Sequence, residues 1–209
     1  MNKNKDKSKS IIIDLFAQVI EIGNRWLTFS GLFFRNDKNV FRKIEFLTIF
    51  FTLLSGFVLL IIGELPIITA TIIAILLGQR VVEFMTVYTR NFVFNRGRIF
   101  THFKDSNKRG QWLILMFTLN IIQINLIFAV WYRLITTINS EAFSQSLSIL
   151  DSFYFSIVTF LTIGYGDVIP VTASAKLIVI FQSVLTFYTL FIVINGLIYS
   201  HFRQQPKSS

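Results

Sequence analysis

The chain contains 209 residues, of which 53% are apolar and 15% are charged, and its formal net charge is +9. A soluble core does not require so apolar a composition, which is typical of membrane proteins. Cysteine is absent, and the two histidines, His102 and His201, lie in basic stretches, so neither a disulfide framework nor a zinc or histidine-based catalytic site is expected.

Residues 1–43 form a basic region with one predicted amphipathic helix. Residues 1–10 contain four lysines and almost nothing apolar, which predicts disorder. Between residues 11 and 34, polar side chains recur at spacings of three and four and share one helical stripe. Two interpretations are open: an interfacial helix held near anionic lipids of the inner leaflet, or a cytoplasmic helix packed on neighbouring subunits. The stripe consists of Asp14, Gln18, Glu21, Arg25 and Thr28.

Residues 44–88 are predicted to form a transmembrane helical hairpin. Residues 44–62 carry no charge after Glu45 and approach the ~20 residues that a spanning helix needs. Residues 63–66 include a glycine and a proline that end this helix, and a second span is expected from Ile67 to Tyr88. Arg80 and Glu83 are close enough in sequence to pair, but the favoured role of Arg80 is to snorkel towards the inner membrane surface.

Residues 89–111 are predicted to be a basic cytoplasmic linker. They contain six Lys or Arg residues and one acidic residue. A nucleic-acid patch is the alternative interpretation, but between two spans such a loop is typical of the positive-inside signal. Its interspersed apolar residues indicate contact with the membrane surface, and no nucleic-acid partner is expected.

Residues 112–200 contain two more spans, at 112–132 and 175–199, and a shorter apolar segment between them. Three amides in the first span, Asn120, Gln123 and Asn125, are expected to bond to a neighbouring helix. The polar residues 136–148 form a predicted outer loop. Residues 150–161 are too few to cross the ~30 Å hydrocarbon core, which predicts a re-entrant helix. Residues 201–209 are a short tail.

The segment after this helix reads Thr162-Ile163-Gly164-Tyr165-Gly166-Asp167 and resembles the selectivity filter of potassium channels. The resemblance implies a homotetramer around a central pore, a filter of residues 162–166, and K⁺ held by the backbone carbonyls of Thr162, Ile163, Gly164 and Tyr165. Gly164 and Gly166 are expected in left-handed conformations, which are inexpensive for glycine. The resemblance also assigns filter support to Tyr154, Phe155 and Asp167.

The chain departs from the family pattern at several positions. Leu161 stands where many members have threonine, and Val158 where some have a glutamate behind the filter. Thr186 occupies the position of a hinge glycine. Pore-lining and gate positions are expected along one stripe of the last helix, with Thr186 beside a wet cavity. The stripe consists of Thr186, Phe187, Leu190, Ile194, Asn195 and Ile198.

These elements predict an all-α membrane protein with four transmembrane helices, a re-entrant pore helix and a filter loop. Most Lys and Arg residues then fall on one side, which places both termini in the cytoplasm and the protein in the plasma membrane. A fifth span at residues 11–34 would break this asymmetry.

The expected function is passive, potassium-selective conduction without a cofactor other than the permeant K⁺. An enzyme is not expected, because the spans hold almost no titratable groups beyond Arg80 and Glu83. The alternative is the pore subunit of a voltage-sensitive or regulator-dependent cation channel complex. Arg80 alone is a poor voltage sensor, whereas a separately encoded regulator is compatible with the sequence.

Overall fold

The computed structural model describes residues 11–26, 40–89 and 106–204, with side chains at 15, 17–23, 42–89 and 110–192. These residues form helices, and within them the only β pairing is one isolated bridge. The helices are α1 (Ile11–Trp26), α2 (Val40–Ile61), α3 (Ile67–Tyr88), α4 (Ser106–Ile138), α5 (Ile149–Phe160) and α6 (Ala173–Gln204). Helices α2, α3, α4 and α6 are long and apolar enough to cross a membrane. The predicted all-α architecture with four spans is confirmed.

The observed helix bounds agree best with the predicted ones where the sequence contains a residue that ends or starts a helix. Helix α3 begins at Ile67, directly after Pro66, and ends at Tyr88, as predicted. Helix α4 begins six residues before the predicted Trp112 and has 33 residues, about 50 Å at 1.5 Å per residue. It therefore exceeds the ~30 Å hydrocarbon core, and the hydropathy pattern marks only its apolar middle.

Helix α4 is the centre of the bundle. It packs on α2, α3, α5 and α6. Phe128 and Tyr132 are fully buried there, and the core that they join includes residues from α2 through α6. The α2–α3 hairpin therefore contacts the rest of the bundle mainly through α4, with a direct bond from the Tyr188 hydroxyl of α6 to the Met85 carbonyl of α3 at 2.7 Å.

The contact of α3 with α4 depends on a glycine. A Cβ atom at Gly78 would lie 2.9 Å from Cζ2 of Trp131, closer than real Cβ contacts come. The indole N–H of Trp131 donates to the carbonyl of Ala74 at 2.9 Å, which fixes the ring against α3. Gly78 thus lets the two helices approach at this level.

The prediction that Arg80 snorkels is wrong. Its side chain is buried and forms an ion pair with Glu83, which is buried as well. On α2, Thr48 Oγ1 accepts from Arg80 Nη2 at 3.4 Å, and the guanidinium lies 5.0 Å from the centre of the Phe51 ring. The charge stays inside the hairpin because α2 and Glu83 supply partners there, which a one-dimensional hydropathy pattern does not show.

Helix α1 packs on α3 and is amphipathic, as predicted. Ala17 is buried, and the Gly23 position lies 3.4 Å from Cγ2 of Thr86 on α3. Leu15, Val19 and Ile22 form an exposed apolar face, and Gln18 and Glu21 are exposed. Asp14 and Arg25 have no described side chains, and the predicted extension through Thr28 lies outside the described residues. An exposed apolar face suits both lipid and a second subunit, so both interpretations remain predictions.

Candidate selectivity filter and the helices that hold it

Helix α5 begins at a capping box. The Ser148 hydroxyl accepts from the Asp151 N–H at 3.1 Å, and the Asp151 carboxylate accepts from the Ser148 N–H at 3.0 Å. These hydrogen bonds to Ser148 lower the pKa of Asp151. With 12 residues, α5 is about 18 Å long and cannot span the hydrocarbon core. The predicted short helix before the filter is confirmed, one residue from its expected bounds.

The filter segment has a left-handed residue at every second position. Gly164 and Gly166 have φ values of 62° and 79°, as predicted, and Thr162 has a φ of 56°. In a regular strand neighbouring carbonyls point to opposite sides, so a left-handed residue at every second position turns them towards one side. Thr162 was not expected to be left-handed, because this conformation costs an L-residue roughly 1–2 kcal/mol. No residue-type signal in the sequence marks it.

Backbone hydrogen bonds attach the start of the filter to the end of α5. The Ile163 N–H donates to the Val158 carbonyl at 3.0 Å, and the Thr162 N–H donates to the Thr159 carbonyl at 3.1 Å. Val158 contributes through its backbone, although its side chain cannot replace the glutamate of related filters. The position of α5 therefore sets the position of Thr162 and Ile163.

The filter segment lies open along one side of the chain. Residues 161–167 are all exposed, and Tyr165 has a relative exposure of 68%. A Cβ atom at Gly164 or Gly166 would meet no heavy atom within 4 Å. The backbone conformation, rather than a close neighbour in the same chain, is what requires glycine at these two positions.

The two residues of the predicted aromatic pair have different ring partners. Tyr154 stacks on Tyr165, with ring centres 6.4 Å apart and planes inclined by 2°. Hydrogen bonding to the Asp167 carboxylate raises the pKa of Tyr154. Phe155 is buried on another face of α5, with its ring against Tyr132 and Phe143. Tyr154 and Asp167 thus lie beside the filter, whereas Phe155 packs α5 onto the core.

The outer loop holds the chain that leaves the filter. The Ser144 N–H donates to the Ile169 carbonyl at 2.8 Å, and the Val171 N–H donates to the Ala142 carbonyl at 2.8 Å. Phe143 pairs with Pro170 in an antiparallel bridge and is buried. The segment at 136–148 is polar on average, but it contributes core residues as well as a loop.

A set of four polar side chains, here called the pore network, lies behind α5 and joins it to α4 and α6. Tyr132 donates to Oε1 of Gln182, and Gln182 Nε2 donates to the carbonyl of Ser156 at 2.8 Å. The Ser156 hydroxyl donates to the carbonyl of Asn125 at 2.9 Å. Tyr132, Gln182 and Ser156 are fully buried, and Asn125 is 4% exposed.

Two of the three predicted amides, Asn120 and Asn125, bond to neighbouring helices, and the pore network adds members that sequence reasoning missed. The Asn125 side chain accepts from the Ser156 hydroxyl on α5 through its Oδ1 at 3.3 Å, as expected of an amide in this span. Asn120 lies 3.5 Å from the Tyr88 hydroxyl, whereas Gln123 Nε2 has no hydrogen-bond partner among the described residues. Gln182 was the available signal: an isolated amide inside an apolar span requires a partner.

The predicted pore stripe of α6 is wrong at Thr186. This residue is 1% exposed within a single chain, and its hydroxyl donates to the carbonyl of Gln182 at 3.0 Å. Assembly only adds contacts, so Thr186 does not line a wet cavity in this arrangement. Phe187 and Leu190 are exposed at 67% and 51% and remain available to a pore. Ile194, Asn195 and Ile198 have no described side chains.

One protein family and three individual proteins are similar to parts of this chain. Residues 114–199 match a family described as "Ion channel". "Two-pore potassium channel 4" of Arabidopsis thaliana is 35% identical over 76 residues, which cover 34% of this chain and 25% of that protein. "Voltage-gated potassium channel Kch" of Escherichia coli (strain K12) is 40% identical over 59 residues, or 28% of this chain and 12% of that protein. Human "Potassium channel subfamily T member 1" is 38% identical over 67 residues, which cover 32% of this chain and 5% of that protein.

The chain thus spans a quarter or less of the length of these relatives. No solved structure matches it. Within the described ranges, no three His, Cys, Asp or Glu side chains form a candidate metal site.

A short helix that ends in a loop of left-handed residues and packs against apolar spanning helices is the arrangement expected of an ion channel pore. Irregular backbone at membrane depth is stable only where protein or water surrounds it, so the open side of residues 161–167 must face water or further protein rather than lipid. Residues 114–199 match the ion channel family, and the chain is similar to potassium channels over about a third of its length. The matched range lies within the predicted pore domain, residues 112–200.

Proposed function

We propose that this chain is the pore-forming subunit of a potassium-selective channel, which conducts K⁺ passively across the plasma membrane. The observation that carries the proposal is the alternation of left-handed residues at Thr162, Gly164 and Gly166. This backbone directs consecutive carbonyls towards one axis, where they replace the hydration shell of a dehydrated K⁺. The carbonyls of Thr162, Ile163, Gly164 and Tyr165 hold the ion.

One chain supplies one side of such a filter, so the proposed assembly is a homotetramer. The open face of residues 161–167 supports this, because carbonyls exposed along one side of a chain need further copies to surround an ion. Helix α6 has a wide apolar exposed face suited to contact with lipid, with other subunits or with the pore. Phe187 and Leu190, with Ile194, Asn195 and Ile198 beyond them, form the proposed gate.

The proposed topology has both termini in the cytoplasm, where the basic regions would contact anionic lipids. Voltage sensitivity is the second candidate and is less well supported. Within α3, the single cation Arg80 is buried and paired with Glu83, which leaves little net charge to move in a field. A regulator encoded elsewhere remains compatible with this function.

Reversal potentials of the full chain in lipid vesicles or planar bilayers test the proposal. With K⁺ on one side and Na⁺ on the other, each tenfold preference for K⁺ shifts the reversal potential by about 59 mV. For the native chain we expect the reversal potential to shift by more than about 59 mV. A reversal potential near zero would contradict potassium selectivity.

A glycine pair provides the matched variants. Gly164→Ala places a side chain on a left-handed residue and should abolish selectivity or conduction. Gly110→Ala adds the same methyl group to α4, where a Cβ atom meets nothing within 4 Å, and should conduct like the native chain. Equal selectivity in both variants would show that K⁺ selectivity does not depend on the left-handed conformation of Gly164.

A further inference from the structure

Gln182 is the residue through which α6 contacts the pore network. Its Oε1 accepts from the Tyr132 hydroxyl on α4, and its Nε2 lies 2.8 Å from the Ser156 carbonyl and 3.1 Å from the Ser156 hydroxyl on α5. Both ends of the amide are used, and the side chain is fully buried. One residue of α6 therefore bonds to two other helices.

Among the described side chains of α6, the other buried polar ones lack this property, and the half-buried Tyr188 bonds to one other helix, α3, through the Met85 carbonyl at 2.7 Å. The hydroxyl of Thr186 donates to the Gln182 carbonyl at 3.0 Å, and that of Thr189 donates to the Leu185 carbonyl at 2.7 Å. Both partners lie on α6 itself, so these bonds do not relate α6 to a neighbour. Gln182 is different because its hydrogen bonds fix the depth of α6 relative to α5.

The contact at Ser156 is close to the filter along the backbone. Ser156 precedes Val158 by two residues, and the Val158 carbonyl accepts from the Ile163 N–H at 3.0 Å. A displacement of α5 at Ser156 therefore moves the acceptor that holds Ile163. Because protein interiors are close-packed, a shift of this kind is transmitted rather than absorbed.

We propose that Gln182 is a positioning residue for the selectivity filter. It registers α6 against α5 and α4, so that the spacing of the filter carbonyls depends on where α6 lies. It acts from behind the pore helix and does not touch the permeant ion. The inference rests on the proposed potassium-selective function.

The test compares permeability ratios of full-length variants in lipid, measured as reversal potentials. Gln182→Met keeps the length and volume of the side chain but removes both hydrogen bonds, and we expect the K⁺/Na⁺ permeability ratio to fall at least tenfold. Thr189→Val is the control, because it removes a buried hydroxyl of α6 that bonds only within α6. It should keep the native ratio.

A second measurement separates positioning from folding. Ser156→Ala removes the hydroxyl contacts but leaves the Ser156 carbonyl, so it should assemble and lower the ratio by a smaller factor. If Gln182→Met fails to assemble, the ratio of Ser156→Ala decides the matter, and a native ratio there would overturn the proposal.

The outcomes distinguish this inference from the proposed function. A native chain that selects K⁺, together with an unchanged ratio in an assembled Gln182→Met, would overturn the role of Gln182 and leave the channel function intact. A native chain without selectivity would overturn both. Loss of selectivity in Thr189→Val as well as in Gln182→Met would show that any change in α6 disturbs the filter, which also contradicts a specific role for Gln182.

Discussion

Two buried polar clusters, one between α2 and α3 and one between α4, α5 and α6, hold their helices in different ways. The hairpin cluster consists of Arg80 and Glu83 on α3 and Thr48 on α2. It is charged, and its ion pair joins two residues of one helix. Its hydrogen bond to α2 is a contact of 3.4 Å, and Arg80 Nε is buried without a hydrogen-bond partner in the part of the chain that the structure describes.

The pore network, by contrast, is neutral and joins three helices. Each of its four side chains makes at least one hydrogen bond to a residue on another helix. Neutral groups are less costly to bury than charges, and bonds between helices restrict relative movement that an intrahelical pair leaves free. The comparison indicates that the hairpin cluster mainly affects stability, whereas the pore network fixes geometry.

The largest expected effect comes from breaking the hairpin ion pair. Glu83→Leu leaves the Arg80 charge buried without its counter-charge, and such changes cost about 3–5 kcal/mol. Thermal unfolding in detergent should show a large loss of stability. The double variant Arg80→Leu/Glu83→Leu should recover most of it, because no charge then remains buried. If the double variant is as unstable as the single one, the pair does not act as described.

A smaller effect is expected where the hairpin meets α4. Gly78→Ala places a methyl group 2.9 Å from the Trp131 ring, and overpacking of this kind costs about 1–3 kcal/mol. Thermal unfolding again provides the measurement. Gly56→Ala is the control, because a Cβ atom there lies 4.0 Å from its nearest neighbour, Leu126. Equal stability of both variants would show that α3 and α4 have room to separate.

A variant of the pore network should lose little stability but lose selectivity, whereas a variant of the hairpin cluster should lose much stability and keep its selectivity. Tyr132→Phe removes one hydroxyl and leaves Gln182 Oε1 without its donor, at a cost of about 1 kcal/mol. This is less than the expected loss in Glu83→Leu, yet the K⁺/Na⁺ permeability ratio should fall. An assembled Glu83→Leu should keep its selectivity. If Tyr132→Phe retains the native permeability ratio while Glu83→Leu loses it, the pore network does not fix the geometry of the filter as described.

The smallest effect is expected at the exposed start of α5. Ser148→Ala removes the capping box and should cost roughly 0.5 kcal/mol, the lower end of such effects. The pKa of Asp151 is lowered from its ordinary 3.8, so its contribution is present above that pH and is lost as pH falls through the lowered value. Unfolding measured against pH should therefore show the native chain and Ser148→Ala converging in acid. A difference that grows below pH 3.8 would contradict this account.

The parts of the fold that sequence reasoning predicted are those with local signals. Pro66 marks the start of α3, the short apolar run marks α5, and the two filter glycines mark left-handed positions. Each signal belongs to one residue or to a few neighbours. These features could therefore be predicted without knowing which distant residues are in contact.

The misses involve contacts between helices. Arg80 was expected at the membrane surface, because its sequence neighbours do not reveal Thr48 and Phe51 on the facing helix. Thr186 and Phe187 differ by one position, or 100° of rotation in an ideal helix, and that rotation separates a buried residue from an exposed one. Tyr132 and Gln182 are 50 positions apart, and no local pattern pairs them.

The backbone bonds between residues 142–144 of the outer loop and residues 169–171 after the filter have a practical consequence for labelling. An epitope inserted between Ala142 and Ser144 would separate the two backbone bonds to residues 169–171 and expose Phe143. The turn between α2 and α3 offers Glu64, an exposed residue that takes no part in these backbone bonds. A reporter peptide placed there labels the protein and leaves the bonds between residues 142–144 and 169–171 in place.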